Sequence, residues 1–188
     1  FENVYTLALR GLHDRAMNAS NDMGDRKDML QEALMAQRQM LIDAIGKPGE
    51  EIPQAFTPYK EVLDVYDEGL ELPDDVTIIW PDDNYGYMKR LSSPKEQKRS
   101  GRSGVYYHSS YLGKPHDHLW MNTISPTLMY EELRKAYDAT ADRIWLLNAG
   151  DIKSCEFAVD YFLTMAFDID SFNFERAANY RTEWLCGM

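Results

Sequence analysis

Short apolar runs alternate along this chain with amphipathic stripes of helical period, and each run closes on polar or turn-forming residues. That alternation restricts the fold more than any other feature. The runs "ENVYTLALRG" (2–11), "DVTIIW" (75–80), "VYYHSSY" (105–111) and "RIWLLNAG" (143–150) read as strands. Between them, "DRKDMLQEALMAQRQMLIDAIGKPG" (25–49) puts Met29, Leu30, Ala33, Leu34, Met40, Leu41, Ala44 and Ile45 on one helical stripe, stopped by Gly46 and Pro48. A second helix is expected over 57–69, with Thr57 as cap, Pro58 in its first position and Gly69 at its end. Three more are expected over 125–139 (Ser125 cap, then Pro126), 154–168 (opened by Ser154) and 173–185. Strands separated by helices call for right-handed crossovers and a parallel sheet. The expected class is therefore α/β, with about four parallel strands and flanking helices, too few for a closed eight-stranded barrel. No "GxGxxG" or "GxxxxGK" follows any strand, which removes the nucleotide-binding versions of the doubly wound sheet.

Charge narrows the partners. With 31 acidic against 20 basic residues, the net charge of −11 repels nucleic acid and anionic lipid, so neither is expected as a partner. An anionic substrate would need Arg and Lys gathered locally. The two cysteines, Cys155 and Cys186, are too few for a disulfide framework and are expected as free thiols. The stretch "MKRLSSPKEQKRSGRSG" (88–104) concentrates Lys and Arg, and is read as a solvated surface loop, part of which can fold over a site. The chain opens on "FENVYT" and stops after "EWLCGM", and is expected to be a piece of a longer protein, residues 1–188 forming one partial domain. The sequence fixes no oligomeric state, and a homodimer is compatible with it.

In parallel α/β folds ligands bind beyond the carboxyl ends of the strands. Those ends carry the chemistry here. Arg10, His13 and Asp14 follow the first strand; Asp82, Asp83, Asn84 and Tyr85 follow the second; His108, Lys114, His116, Asp117, His118 and Trp120 lie on or after the third; Asn148, Asp151, Lys153 and Glu156 follow the fourth. Pro81 has no N–H for a ladder and marks its strand's end. The segment 47–57 is read as a connection returning the chain to this rim, so that Lys60 and Glu61 face the cleft from the first turn of the second helix. Taken singly, Asp and Asn are common as turn and cap formers; four strand ends carrying such residues together are less easily put down to chance.

Carboxylates with no nucleophile motif suit acid–base work, above all cleavage of a glycosidic bond, in which one carboxyl protonates the leaving oxygen and the other activates water or attacks. Tyr85, Tyr87, Tyr106 and Trp120 can stack on sugar faces, and Arg10 and Lys60 can hold an anionic group. Two alternatives stay open: a metal-dependent hydrolase using His13, His116 and His118, with Asp83 nearby, and a non-catalytic carbohydrate-binding fragment. "HExxH", "CxxC" and "GxSxG" are all missing.

The long stretches "WPDDNYGYMKRLSSPKEQKRSGRSGVYYHSSYLGKPHDHLWMNTISP" and "RIWLLNAGDIKSCEFAVDYFLTMAFD", together with "LALRGLHDRAM" and "YKEVLDVY", closely resemble glycoside hydrolase family 115, the xylan α-1,2-glucuronidases. The resemblance implies part of a (β/α)8 TIM-like catalytic barrel within a larger multidomain chain. It further implies release of glucuronic acid or its 4-O-methyl form from glucuronoxylan, with inversion, without a cofactor or metal, in an extracellular or bacterial periplasmic setting. The remaining barrel and accessory domains would be partners within the same chain. Carried over motif by motif, it implies that Asp14 and Glu61 are the catalytic pair, with the division into acid and base left open. Arg10, His13, Lys60, Asp83, Asn84, His108, Asn148 and Asp151 are implied to bind substrate. "GDIKS" has Ser154 where the family has Pro. Inversion needs the two carboxyl groups about 6.5–9.5 Å apart, to admit a water.

Overall fold

The apolar run of "VTIIWP" is buried along its whole length, and it forms the middle of the sheet. In the computed structural model it is strand β3 (Thr77–Pro81), flanked by β1 (Tyr5–Leu7), β2 (Gln54–Phe56), β4 (Ser103–His108) and, later in the chain, β7 (Trp145–Asn148). The structure describes all residues except 1, 2, 13, 14, 20, 114–116, 119, 120 and 188, and leaves the side chains of 111, 112, 117 and 118 undescribed. The sheet order is β1-β2-β3-β4-β7, with β1–β2, β2–β3 and β4–β7 paired in parallel. A further two-stranded antiparallel ribbon joins β5 (Tyr111–Leu112) and β6 (Asp117–His118). The helices are α1 (Met23–Ile45), α2 (Glu61–Asp67), α3 (Pro126–Asp138), α4 (Glu156–Phe167) and α5 (Phe174–Cys186). Five parallel strands with flanking helices are the α/β arrangement of part of a (β/α)8 barrel.

The expected count of about four strands is corrected to five, because β2 lies inside the segment read as a connection. "QAF" is three residues long and has no alternation to mark it, yet all three are buried and pair with both β1 and β3. The second helix is also corrected. It starts at Glu61 rather than after a Thr57 cap, because Thr57 and Pro58 lie in the turn that leaves β2. Ser154 ends a short 3-10 turn instead of opening α4, and its Oγ donates to the Asp151 carbonyl at 3.3 Å.

Two compact units divide the chain. The first comprises residues 1–79 with 94–103. Its core gathers Leu7, Leu30, Leu34, Phe56, Val62, Val65 and Val76, so the apolar faces of α1 and α2 close on β1 and β2. Burying each Leu, Val or Phe contributes about 1.5–3 kcal/mol before entropy is counted. Asp22 caps α1 by accepting the Asp25 N–H, and Gly46, at φ +73°, ends it in the left-handed conformation that a Cβ disfavours. The basic stretch 88–104, read as solvated, is in part structural here: the Arg99 guanidinium donates to the carbonyls of Leu72, Pro73 and Val76. Separately, a bidentate Arg38–Asp75 pair at 2.8 and 3.0 Å ties α1 to the turn before β3.

The second unit comprises residues 80–93 with 104–188. Val105 and Tyr107 of β4 meet Met129, Leu133 and Ala136 of α3, Tyr161, Phe162 and Met165 of α4, and Tyr180 of α5. Tyr161 stands edge-on to both Phe172 and Tyr180, with centroids 5.3 and 5.0 Å apart. Trp80 is fully buried; its indole N–H donates to Ser92, and the Arg90 guanidinium lies 4.4 Å over its ring. Cys155 is buried and Cys186 exposed, both as free thiols. Among the described residues no helix is long and apolar enough to cross a membrane.

Candidate active site

Polar residues at the strand ends form one group in each unit. In the first, β1 ends at Leu7 and Arg10 follows it; β2 ends at Phe56 and leads through Tyr59 and Lys60 into α2. Lys60 and Glu61 therefore sit directly beyond a strand, a stronger placement than the helix-start position that the sequence suggested. Arg10 Nε lies 3.1 Å from Glu61 Oε1, and Arg10 Nη2 lies 3.3 Å from Oε2, a fork-on-fork pair that fixes both planes. Each side chain is about one-fifth exposed. Tyr59 supports both cations: Arg10 Cζ lies 5.5 Å and Lys60 Nζ 5.0 Å from its ring centre. Tyr59 was not singled out in the sequence, where its proximity to "KE" was the available signal.

Lys60 has φ +53° and ψ −122°, a region that favours glycine and costs a lysine roughly 1–3 kcal/mol. Its ammonium makes no ion pair among the described residues. Of the paired carboxylates, Glu61 is in this group, while Asp14 and the neighbouring His13 lie outside the described residues.

In the second unit Asp82, directly after β3, is buried against His108 at the end of β4. Asp82 Oδ1 is 2.6 Å from His108 Nδ1, and Oδ2 accepts the His108 backbone N–H at 3.2 Å. The Asp82 N–H in turn donates to the Tyr106 carbonyl at 3.1 Å. The His108 ring packs 4.5 Å from that of Tyr106, whose hydroxyl accepts from Asn148 Nδ2 at 3.0 Å. Register aligns His108 with Asn148 across β4 and β7. Beside them an open depression of about 540 Å³ is lined by Tyr106, Leu147, Asn148, Ala149, Gly150 and Ile152. The structure thus groups His108 and Asn148, and adds Asp82, which the sequence showed only as one of two adjacent acids.

The other expected residues of this unit have local duties. Asp83 Oδ1 accepts the backbone N–H groups of Tyr85 at 2.8 Å and Tyr87 at 3.1 Å, so it shapes the turn after β3. Asn84 takes the left-handed conformation, φ +66°, and its amide donates to the Gly113 carbonyl at 3.0 Å, tying that turn to the β5–β6 ribbon. The turn leaves Tyr85 and Tyr87 about half exposed. Asp151 is exposed, next to the lining residue Ile152. For the metal alternative, His13 and His116 lie outside the described residues, as does the His118 side chain; among the described residues no three ligand-type side chains cluster.

The profile described as glycosyl hydrolase family 115 matches residues 1–188. The chain belongs to that family. A solved structure described as a family GH115 4-O-methyl-α-glucuronidase with specificity for decorated arabinogalactans is 42% identical, with a TM-score of 0.88 over 96% of this chain. The match covers 24% of that longer chain, so the present chain spans about a quarter of its relative. No curated protein matches.

Proposed function

We propose that this GH115 chain contributes to an enzyme that hydrolyses α-1,2-linked glucuronic acid, or its 4-O-methyl form, from glucuronoxylan side chains, with inversion. The observation that carries the reading is the Arg10–Tyr59–Lys60–Glu61 group. In a chain of charge −11 it holds two cations against one ring beside a carboxylate. Lys60, and Arg10 alongside it, supply charge for the sugar's own carboxylate, and Glu61 supplies one of the two carboxyl groups, the other being Asp14. In the second unit, His108 and Asn148 are assigned to binding the polysaccharide. One carboxyl group protonates the leaving xylose oxygen while the other draws a proton from the attacking water. The enzyme acts outside the cytoplasm, as its polymeric substrate requires.

A second substrate reading has its own support. The GH115 relative described above has specificity for decorated arabinogalactans, and at 42% identity this chain's enzyme can share that preference.

The test is an assay of the full-length protein on glucuronoxylan and on a glucuronic-acid-decorated arabinogalactan, with the released acid followed by NMR. An initially β product supports inversion, and an initially α product overturns it. Release from arabinogalactan alone moves the substrate to the second reading. Asp14→Ala should abolish release while the protein stays folded; full turnover in that variant removes Asp14 from the mechanism.

A further inference from the structure

Asp82 lies outside the groups expected to touch substrate, yet both of its oxygens are spent on one residue. Oδ2 accepts the main-chain N–H of His108 and Oδ1 faces its Nδ1 at 2.6 Å, all of it buried. A carboxylate has no proton to give, so the ring nitrogen facing it carries the proton. Nε2 is then the ring nitrogen not committed to Asp82. The ring lies 4.5 Å from Tyr106, a lining residue of the open depression that Asn148 also lines. We infer that Asp82 is a positioning residue that fixes the ring tautomer of His108. Its bearing on activity rests on the proposed role of His108 in binding the polysaccharide.

The geometry makes one substitution decisive. In Asp82→Asn the side chain has a single oxygen for two N–H partners. The main-chain N–H of His108 can only donate and keeps that oxygen. The amide NH2 then faces Nδ1, which can only accept from it, and the ring is forced into the opposite tautomer with its proton on Nε2. A carboxylate that merely braced the two strands would leave the ring nitrogens as they were.

The test uses full-length protein labelled with ¹⁵N-histidine, with His108 assigned by comparison with His108→Gln. The wild-type spectrum should show a protonated Nδ1, and Asp82→Asn should move the proton to Nε2. A wild-type Nε2–H tautomer, or unchanged ring shifts in Asp82→Asn, overturns the inference; the wild-type measurement stands even if the variant does not fold. On a glucuronoside substrate Asp82→Asn should lower kcat/KM by roughly 10- to 100-fold, the usual cost of removing such an orienting partner. In the His108→Gln background it should add less than about a further twofold. Full additivity of the two losses overturns the inference. If the wild type releases no glucuronic acid from any substrate, the proposed function fails on its own, and the nitrogen shifts still decide the pairing.

Discussion

Arg10 and Glu61 meet through two nearly parallel contacts, Nε to Oε1 at 3.1 Å and Nη2 to Oε2 at 3.3 Å, joining the loop after β1 to the first residue of α2. The pair holds the Glu61 carboxyl in one plane, and a reacting carboxyl needs a fixed plane if it is to address a water or a glycosidic oxygen.

Glu61→Gln keeps the shape and removes the acid–base function proposed for Glu61. A decrease in kcat of about 10²- to 10⁴-fold is expected, with KM changing far less. Steady-state kinetics on a glucuronoside check this. Turnover within threefold of wild type would exclude Glu61 from the chemistry.

Lys60→Gly should separate stability from function. Glycine adopts φ +53°, ψ −122° without the clash that a Cβ meets, so the variant should resist urea better by about 1 kcal/mol. The ammonium is lost at the same time, and KM for the anionic sugar should rise at least about tenfold, the worth of one charge-assisted hydrogen bond. A variant that is less stable and binds normally would contradict both halves.

Gly101→Ala probes the turn before β4. A Cβ there would stand 2.5 Å from the Val76 carbonyl oxygen and 2.6 Å from backbone atoms of Asp75, none of which is a flexible side-chain end. Backbone has to move, at a cost of about 1–3 kcal/mol, read as a lower urea midpoint.

Tyr107→Phe tests the alkaline limb. Burial, and then the negative charges of Asp82, Glu132 and Asp83, push the Tyr107 hydroxyl far above its ordinary value of 10.0. The folded state therefore holds the proton where the unfolded chain releases it. The resulting stability is fully present below about pH 10 and declines as pH rises further. The phenylalanine variant loses the hydrogen bond to the Gly86 carbonyl, 2.8 Å long, and should be less stable at pH 8. Its stability should then fall less steeply above pH 10, as followed by urea titration across the pH series. Tyr161 and Tyr180 are raised by burial as well, so part of the slope should survive.

Much of this was legible in the residues. The helices α1 and α3 followed from periodicity, although of the stripe expected on α1 Leu30 and Leu34 are buried while Met29, Met40 and Ile45 are exposed; β3 followed from its unbroken apolar run and β4 from the short run Val105–Tyr107. The strand β2 was not legible, since three residues carry no period, and the buried Gln54 at its start hides its amide by donating to the Gly49 and Ile52 carbonyls. That omission displaced the expected start of α2. The strand-end rule nonetheless brought out Arg10, His108 and Asn148. What it could not do was divide Asp82 from Asp83. Adjacent acids on a chain leaving a strand point opposite ways, and only coordinates show that the first turns inward to His108 and the second folds back onto its own turn.

Asp82 grips the imidazole and the main chain of the same residue, so the aim of His108 is inherited from strand geometry. A ring held this way cannot swivel without letting go of the sheet. Any rearrangement at this edge has to come from the turns around it, with this pair as the fixed pivot.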